Sequence, residues 1–209
     1  MHAKADVSDG TVPGLPARTG PRTPYDLVTG IQGAGLLYEP EFLPAAACHL
    51  LVQFAGKSMR RFGRVDTVAL FSHKVVRFRQ LLREPAARTA VEVMSVARFV
   101  ASQRIAAFFG EPIVLPEETD LVMWSPGMEQ RLHRDVSRET TRYSAIIYLN
   151  DAFQGGETVF PGVGLLKPVT GAMVAFEGVT REHGVAKVRG GTRYTMAMWF
   201  TDQWRALEF

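Results

Sequence analysis

The spacing of apolar residues changes character along this chain, from helical in the N-terminal half to strand-like in the C-terminal half. The longest helical stripe follows Pro85 and is closed by Gly110, and it comprises Val91, Met94, Ala97, Ala101, Ile105 and Phe108. A shorter stripe follows Pro44 and comprises Ala47, Leu50, Leu51 and Phe54. The pattern therefore predicts two amphipathic helices, the first of which we expect to stop at Gly56.

Short apolar runs separated by Gly and Pro dominate the chain after Pro112. They cover residues 121–124, 131–136, 143–149, 157–160, 171–176, 184–188 and 194–201, and two earlier strand-like runs cover 36–42 and 67–78. Runs of this length and spacing predict an antiparallel β-sandwich or jelly roll. Because the helices precede most of the strands, we expect a mainly β fold with flanking helices (α+β) packed on one outer face of a sheet.

The domain organisation follows from the same pattern. Residues 1–30 are rich in Gly, Pro, Thr and charge, which predicts a flexible N-terminal tail. Residues 31–209 suit a single domain, with helical support over 31–112 and a jelly roll over 113–209.

Composition narrows the class of protein. An apolar content of 46% and a charged content of 22% are typical of a soluble globular protein. No run approaches the ~18 uninterrupted apolar residues of a membrane span, and no basic-then-apolar leader is visible. The lone Cys48 cannot form an internal disulfide. We therefore expect a cytoplasmic protein with no membrane partner.

The net charge of +3 is unevenly distributed, because residues 57–109 hold eleven Lys or Arg and three acids. This segment has two interpretations, a solvated helical surface or a face that attracts an anionic substrate or partner.

Candidate chemistry centres on His133, Asp135 and His183. The two residues of the His-x-Asp pair lie two apart in a strand-like run, so both side chains should share one face. His183 follows fifty residues later on another predicted strand. Two imidazoles and one carboxylate bind Fe(II) facially and leave positions open for a cosubstrate and oxygen, whereas zinc sites more often use four protein ligands or three His.

Arg193 begins a strand on which Tyr194, Met196, Met198 and Phe200 would take the other face. An inward-facing Arg needs an anion to offset its desolvation, and a carboxylate supplies one in bidentate geometry. Together with the His and Asp residues, Arg193 predicts a non-haem Fe(II) oxygenase driven by a diacid cosubstrate, 2-oxoglutarate.

At these residues the chain resembles the prolyl 4-hydroxylase-like branch of the Fe(II)/2-oxoglutarate dioxygenases. The segments that carry the resemblance are RIAAFFGEP (104–112), WSPGMEQRLHRD (124–135), YSAIIYLND (143–151), FQGGETVFP (153–161) and HGVAKVRGGTRYTMAMWFTD (183–202). The resemblance implies a double-stranded β-helix (jelly roll) with helices packed on its major sheet. It implies that His133, Asp135 and His183 bind iron, that Arg193 and Tyr148 contact the C5 carboxylate of 2-oxoglutarate, and that Thr158 lines the same pocket.

The implied reaction consumes 2-oxoglutarate and O2, releases succinate and CO2, and hydroxylates an aliphatic C–H bond, with ascorbate a candidate reductant. The implied substrate is of amino-acid type, either free, carrier-bound or peptidyl, with proline the leading choice. Asp135 favours hydroxylation over chlorination, because halogenating relatives lack this carboxylate. Trp124, Gln130 and Leu132 depart from the Tyr, Tyr and Pro that are frequent in the family, at positions that border the substrate mouth in relatives.

Two alternatives remain at this point. A nucleic-acid demethylase of the same superfamily would use the basic segment, although no interleaved aromatic and basic stretch of the kind that stacks bases is present. A non-catalytic binding module on a degenerate barrel is the other, and the intact ligand set argues against it.

Overall fold

The helices of the described chain all lie in its N-terminal half. The computed structural model describes residues 31–61, 64–66, 73–136 and 139–203, so the predicted tail over 1–30 lies outside the described residues. The helical elements are α1 (Ala45–Arg61), α2 (Phe78–Leu81), a 3-10 turn (Pro85–Ala87) and α3 (Arg88–Phe109). Among the described residues, none of these helices is long and apolar enough to cross a bilayer.

Both predicted long helices are confirmed, but the predicted C-terminal end of the first helix is wrong. Helix α3 buries its predicted stripe at Met94, Ala97 and Ile105, and Gly110 ends it in the left-handed conformation at φ 73°. Helix α1 continues through Gly56 to Arg61. Glycine costs a helix only about 1 kcal/mol relative to Ala, and burial of the α1 side chains on both sides of Gly56 outweighs that cost.

The strands of the described chain follow most of the predicted apolar runs. They are β1 (Leu37–Glu39), β2 (Arg64–Asp66), β3 (His73–Arg77), β4 (Leu115–Trp124), β5 (Gln130–His133), β6 (Tyr143–Tyr148), β7 (Gln154–Gly155), β8 (Thr158–Phe160), β9 (Gly164–Leu166), β10 (Met173–Glu177), β11 (His183–Val185), β12 (Val188–Gly190) and β13 (Arg193–Thr201). The short strands β2, β7 and β9 were not predicted, and the predicted run 184–188 is divided between β11 and β12. Of the predicted run 67–78, β3 covers 73–77, and residues 67–72 lie outside the described residues.

Antiparallel pairing joins these strands into three sheets. The large sheet has seven strands in the order β1-β10-β6-β13-β4-β3-β2, and the small sheet has four in the order β5-β11-β8-β9. A two-stranded ribbon of β12 and β7 completes the described β structure. The crossed strand order confirms the jelly roll, and β1, β2 and β3 extend the large sheet at its two edges.

The two faces of the large sheet have different partners. On its outer face, Ile147, Met196 and Met198 share one apolar core with α1 and α3. On its inner face, Tyr148 and Phe176 share another core with side chains of the small sheet. The helices therefore buttress the large sheet from outside, as predicted, and the space between the two sheets is lined by alternate residues of β4, β6, β10 and β13.

Three arginines of the basic helical segment pair with acids from outside it. Arg77 and Arg79 lie 3.5 and 3.6 Å from Glu118, and Arg104 lies 3.5 Å from Glu39. Arg98 stacks over the ring of Phe78 at 4.3 Å. These contacts favour the interpretation of a solvated surface.

Gly171 provides a test of the connection between α1 and the large sheet. Its N–H donates to the Tyr148 carbonyl at 2.8 Å, and its carbonyl accepts from the Leu43 N–H at 2.9 Å. It has φ +85°, and a Cβ at this position would lie 2.3 Å from the Leu43 carbonyl oxygen. We predict that Gly171→Ala lowers the free energy of unfolding by about 3 kcal/mol or more, from left-handed strain plus overpacking.

The matched control is Gly162→Ala, because Gly162 has φ +77° and a Cβ added there would meet nothing within 4 Å. It should lose only about 1–2 kcal/mol, from strain alone. Urea denaturation of both variants measures the difference, and equal losses would show that the contact with Leu43 is not what restricts Gly171.

Candidate metal centre

The antiparallel pairing of β5 with β11 brings two histidines together. His133 and His183 are direct partners across this pair, and their ring centroids lie 4.2 Å apart. Both side chains point from the small sheet into the space between the sheets, where Phe176 of the large sheet packs on the His183 ring at 4.6 Å. The prediction that a later strand delivers His183 opposite His133 is confirmed.

Asp135 reaches the same place by a different route from the one the sequence predicts. Strand β5 ends at His133, so the predicted strand over 131–136 is wrong at its C-terminal end. Asp135 is instead held against the large sheet, because its N–H donates to the Gly178 carbonyl at 2.9 Å and its Oδ2 accepts from Ser144 Oγ at 2.6 Å. A Cβ on Gly178 would lie 2.2 Å from Ser144 Oγ, so only glycine leaves room for this arrangement.

The three side chains offer a compact set of ligand atoms. His133 Nε2 lies 3.5 Å from Asp135 Oδ1, and His183 Nε2 lies 3.7 Å from Asp135 Oδ2. One ligand atom from each residue falls within 4.8 Å of the others. Such a donor set fits a facially bound Fe(II) ion, because two imidazoles and one carboxylate leave the opposite face open.

Hydrogen bonds orient both imidazoles for this purpose. Nδ1 of His133 lies 3.0 Å from the Arg131 carbonyl, and Nδ1 of His183 lies 3.3 Å from the Arg181 carbonyl. Since a carbonyl only accepts, each neutral ring carries its proton on Nδ1 and presents the lone pair of Nε2 to the centre. Metal-binding histidines are commonly fixed in this way by a partner on the second ring nitrogen.

The charge states of the site also suit a cation. Burial lowers the pKa of His183 to about 4, although the Asp135 carboxylate acts in the opposite direction. Burial acts to raise the pKa of Asp135, but the interactions with the neighbouring His133 and His183 side chains and the hydrogen bond from the Ser144 hydroxyl outweigh it and leave that pKa low. At neutral pH the centre therefore holds a carboxylate and a neutral His183 imidazole, which are the forms that bind metals.

Arg193 occupies the interior between the sheets with an incomplete set of partners. Its side chain is 1% exposed, and its guanidinium lies between the rings of Trp124 and Tyr148, at 5.3 and 5.6 Å from their centroids. Its Nη2 is 3.5 Å from Thr158 Oγ1, which is 2.6 Å from the Tyr148 hydroxyl. Burial lowers the pKa of Arg193 to about 10, so the group is still charged at neutral pH.

The charge on Arg193 has no counterion among the described residues. Within the described part of the chain no salt bridge reaches this guanidinium, and its Nε is buried without a hydrogen-bond partner. A buried and unpaired cation is costly. The pocket formed by Arg193, Tyr148 and Thr158 therefore fits the carboxylate of a ligand, and the structure brings together all three residues that the resemblance assigned to it.

Two residues that position Asp135, Ser144 and Gly178, were not predicted as part of the site. Trp124 and Gln130 were predicted only as positions that border the substrate mouth; Trp124 packs on the guanidinium of Arg193, and Gln130 lies against His133. Ser144 could have been found from the sequence, because residues four apart on a strand point to the same face. It therefore shares a face of β6 with Tyr148, which was already assigned to the pocket. Gly178 could not have been found, because its role depends on contacts with two distant segments.

The depressed pKa of His183 makes stability depend on pH. Between the ordinary value of 6.5 and about 4, the unfolded chain binds a proton at this residue that the folded chain excludes. The free energy of unfolding of the metal-free protein should thus fall as the pH is lowered from 6.5 to 4, by about 3 kcal/mol at most from this group. Denaturation curves at a series of pH values should show a shallower dependence for His183→Gln, and an equal dependence in both proteins would contradict the assignment.

The family model described as the 2OG-Fe(II) oxygenase superfamily matches residues 119–201. Prolyl 3-hydroxylase 2 of Homo sapiens is 41% identical over 66 residues, which cover 28% of this chain and 9% of that protein. Prolyl 3-hydroxylase 1 of Homo sapiens is 28% identical over 200 residues, which cover 90% of this chain and 24% of that protein. The chain thus spans about a quarter or less of the length of these curated relatives.

Solved structures share the fold. A prolyl-4-hydroxylase of Pseudomonas putida aligns with a TM-score of 0.63 and 22% identity, covering 85% of this chain and 97% of that one. A prolyl hydroxylase of Trichoplax adhaerens, solved with a peptide fragment of hypoxia inducible factor, aligns with a TM-score of 0.70 and 15% identity, covering 84% and 87%.

The matched segment runs from β4 through β13 and so contains every residue of the centre and of the Arg193 pocket. The chain therefore resembles the 2OG-Fe(II) oxygenase superfamily over its jelly-roll segment, and it shares the fold of the solved prolyl hydroxylases.

Proposed function

We propose that this chain is an Fe(II)- and 2-oxoglutarate-dependent dioxygenase that hydroxylates an aliphatic C–H bond of an amino-acid-type substrate, free, carrier-bound or peptidyl. The observation that carries the proposal is that one interior space holds a convergent His, Asp and His set and a buried Arg with no counterion in the described part of the chain. The His, Asp and His set fits the metal, and the buried Arg fits the far carboxylate of a dicarboxylate.

His133, Asp135 and His183 are the proposed iron ligands. Separate contacts hold these side chains in place. A hydrogen bond from Nδ1 to a backbone carbonyl orients each imidazole, and the Ser144 hydroxyl orients the Asp135 carboxylate. When bound, iron supplies the redox chemistry that couples decarboxylation of 2-oxoglutarate to hydroxylation of the substrate, with release of succinate and CO2. Because the three ligand side chains are only 7–12% exposed, the protein also limits the access of water to this chemistry.

Arg193 is the proposed anchor for the C5 carboxylate of 2-oxoglutarate. The Tyr148 hydroxyl and Thr158 Oγ1 lie beside it and can donate to the same carboxylate. Burial raises the pKa of Tyr148 to about 12, so this hydroxyl keeps its proton and remains a donor throughout the neutral range. Anchoring one end of the diacid would fix the position of the other end at the metal.

Proline, free or within a peptide, is the leading substrate. The relatives named above are prolyl hydroxylases, and they include both 3-hydroxylases and a 4-hydroxylase, so either ring carbon is compatible with the proposal. The acids that pair with the basic helical segment give no support to a nucleic-acid substrate. A cytoplasmic location is part of the proposal and is supported by the lone, buried cysteine. Ascorbate is the proposed reductant, as the resemblance implies.

The test of function is Fe(II)-dependent release of succinate from 2-oxoglutarate, measured with free proline, other amino acids and proline-rich peptides. At least one of these should stimulate succinate release and gain one oxygen atom by mass spectrometry. Absence of any metal-dependent turnover with or without substrate would contradict the proposal.

We predict that His183→Ala abolishes turnover and weakens binding of Mn(II), used as a redox-silent substitute, by more than about 100-fold, since loss of outer-shell partners alone costs 10–100-fold. Calorimetry under anaerobic conditions measures the affinity. The matched control is His49→Ala, an exposed histidine on α1 that contacts Gln53 and should leave both properties unchanged. Full succinate production by His183→Ala would rule out its role as a ligand.

We predict that Arg193→Met raises the KM for 2-oxoglutarate at least ~30-fold, the lower range for losing one partner of a buried charge pair, while Mn(II) affinity is kept. Without ligands the variant should also melt at a higher temperature, because an unpaired buried charge has been removed. Arg189→Met is the control, as Arg189 is 67% exposed and only reaches Glu157 at 4.0 Å. An unchanged KM in Arg193→Met would exclude the proposed anchor.

A further inference from the structure

A β-bulge places Gln130 on the same face of β5 as His133. Residues three apart on a regular strand point to opposite faces. Here His183 pairs with His133 and Val185 pairs with Gln130, so two steps along β11 match three steps along β5. The extra residue turns Gln130 inward.

Gly184 makes the bulge possible. A Cβ on this residue would lie 2.8 Å from the Gln130 carbonyl oxygen and 3.2 Å from the Arg131 carbonyl carbon. The bulged backbone of β5 therefore approaches β11 too closely for any side chain at the position directly after His183. The inward placement of Gln130 is thus built into the pairing of the two strands that carry the histidines.

The turned side chain contacts the metal-facing nitrogen of His133. Gln130 Nε2 lies 3.0 Å from His133 Nε2, while His133 Nδ1 is directed to the Arg131 carbonyl at 3.0 Å. With the ring proton on Nδ1, Nε2 of the neutral ring is an acceptor, and the amide N–H of Gln130 donates to it. The lone pair used by this hydrogen bond is the one that a metal ion would need.

We propose that the Gln130 carboxamide is an internal competitor for the metal centre: it binds the ligand nitrogen of His133 in the metal-free protein and must be released before a metal ion binds. This inference rests on the proposed function, in which His133 is a metal ligand. The amide has no comparable contact to Asp135 or His183 among the described residues, so release needs a change in one side chain only.

The competition has a quantitative signature. Breaking the hydrogen bond costs the same for every metal, so its removal should tighten binding of different divalent metals by one common factor. The net contribution of one hydrogen bond corresponds to about three- to tenfold in affinity. A residue that served as a ligand would behave in the opposite way, since its loss would weaken binding by an amount that differs from metal to metal.

The experiment compares binding of Mn(II), Co(II) and Zn(II) to the full-length wild-type chain and to Gln130→Leu, by competition with a chromogenic chelator without cosubstrate. Gln130→Asn, which shortens the side chain by one methylene, is the second variant, and each protein's thermal unfolding confirms that it folds. The control is Gln53→Leu, because Gln53 makes the same kind of amide–imidazole contact, at 2.8 Å to His49, on the exposed surface of α1.

We expect both Gln130 variants to bind all three metals about three- to tenfold more tightly, by a common factor, and Gln53→Leu to match the wild type. In the metal-free protein, the His133 Nε2 signal in ¹⁵N spectra should move in Gln130→Leu and not in Gln53→Leu. Unchanged or weaker binding by the Gln130 variants would overturn the inference while leaving the proposed function intact. Failure of the wild type to bind any of the metals at the three ligands would instead overturn the proposed function.

Discussion

The pairing of β5 with β11 is the constraint on which the rest of the site depends. It places His133 directly opposite His183, so two imidazoles separated by fifty residues of sequence meet without any further adjustment. The third group, Asp135, follows β5 and is held against the opposite sheet by Ser144 and the Gly178 carbonyl. The centre therefore joins the two layers of the jelly roll, and its geometry depends on the packing between them rather than on one local motif.

Charge balance explains why the two parts of the site belong together. Among the described residues, the centre contributes one carboxylate, Asp135, and the adjoining pocket contributes one guanidinium, Arg193. A divalent cation alone, or a dicarboxylate alone, would leave an excess of two charges in a poorly solvated space. A divalent cation and a dicarboxylate entering together leave the net charge unchanged, so each should favour the binding of the other.

Much of this architecture could be predicted from the sequence, since it depends on local patterns. The apolar stripe of α3, its glycine terminus and the alternation along β13 are set by side-chain spacing, and the structure confirms them. The His-x-Asp pair is a weak signal by itself, and it could be found together with Arg193 because the surrounding segments, such as FQGGETVFP, resemble a known family.

The remainder could not be predicted, because it depends on contacts between segments. Asp135 lies beyond the end of its strand, and the bulge in β5 is defined only by its partner β11. Helix α1 passes through Gly56 because packing on the sheet outweighs a local preference. Strand alternation correctly predicted that His133 and Asp135 lie close together. The cause it assumed was wrong, because Asp135 lies beyond the end of β5 and is positioned by contacts with the large sheet.

The most direct measurement is anomalous diffraction from crystals of the full chain grown without oxygen in the presence of Mn(II) and 2-oxoglutarate. We expect one manganese peak about 2 Å from His133 Nε2, His183 Nε2 and an Asp135 carboxylate oxygen, with the far carboxylate of the diacid on the Arg193 guanidinium. A manganese ion bound elsewhere, or a diacid that leaves Arg193 without a carboxylate, would contradict the account.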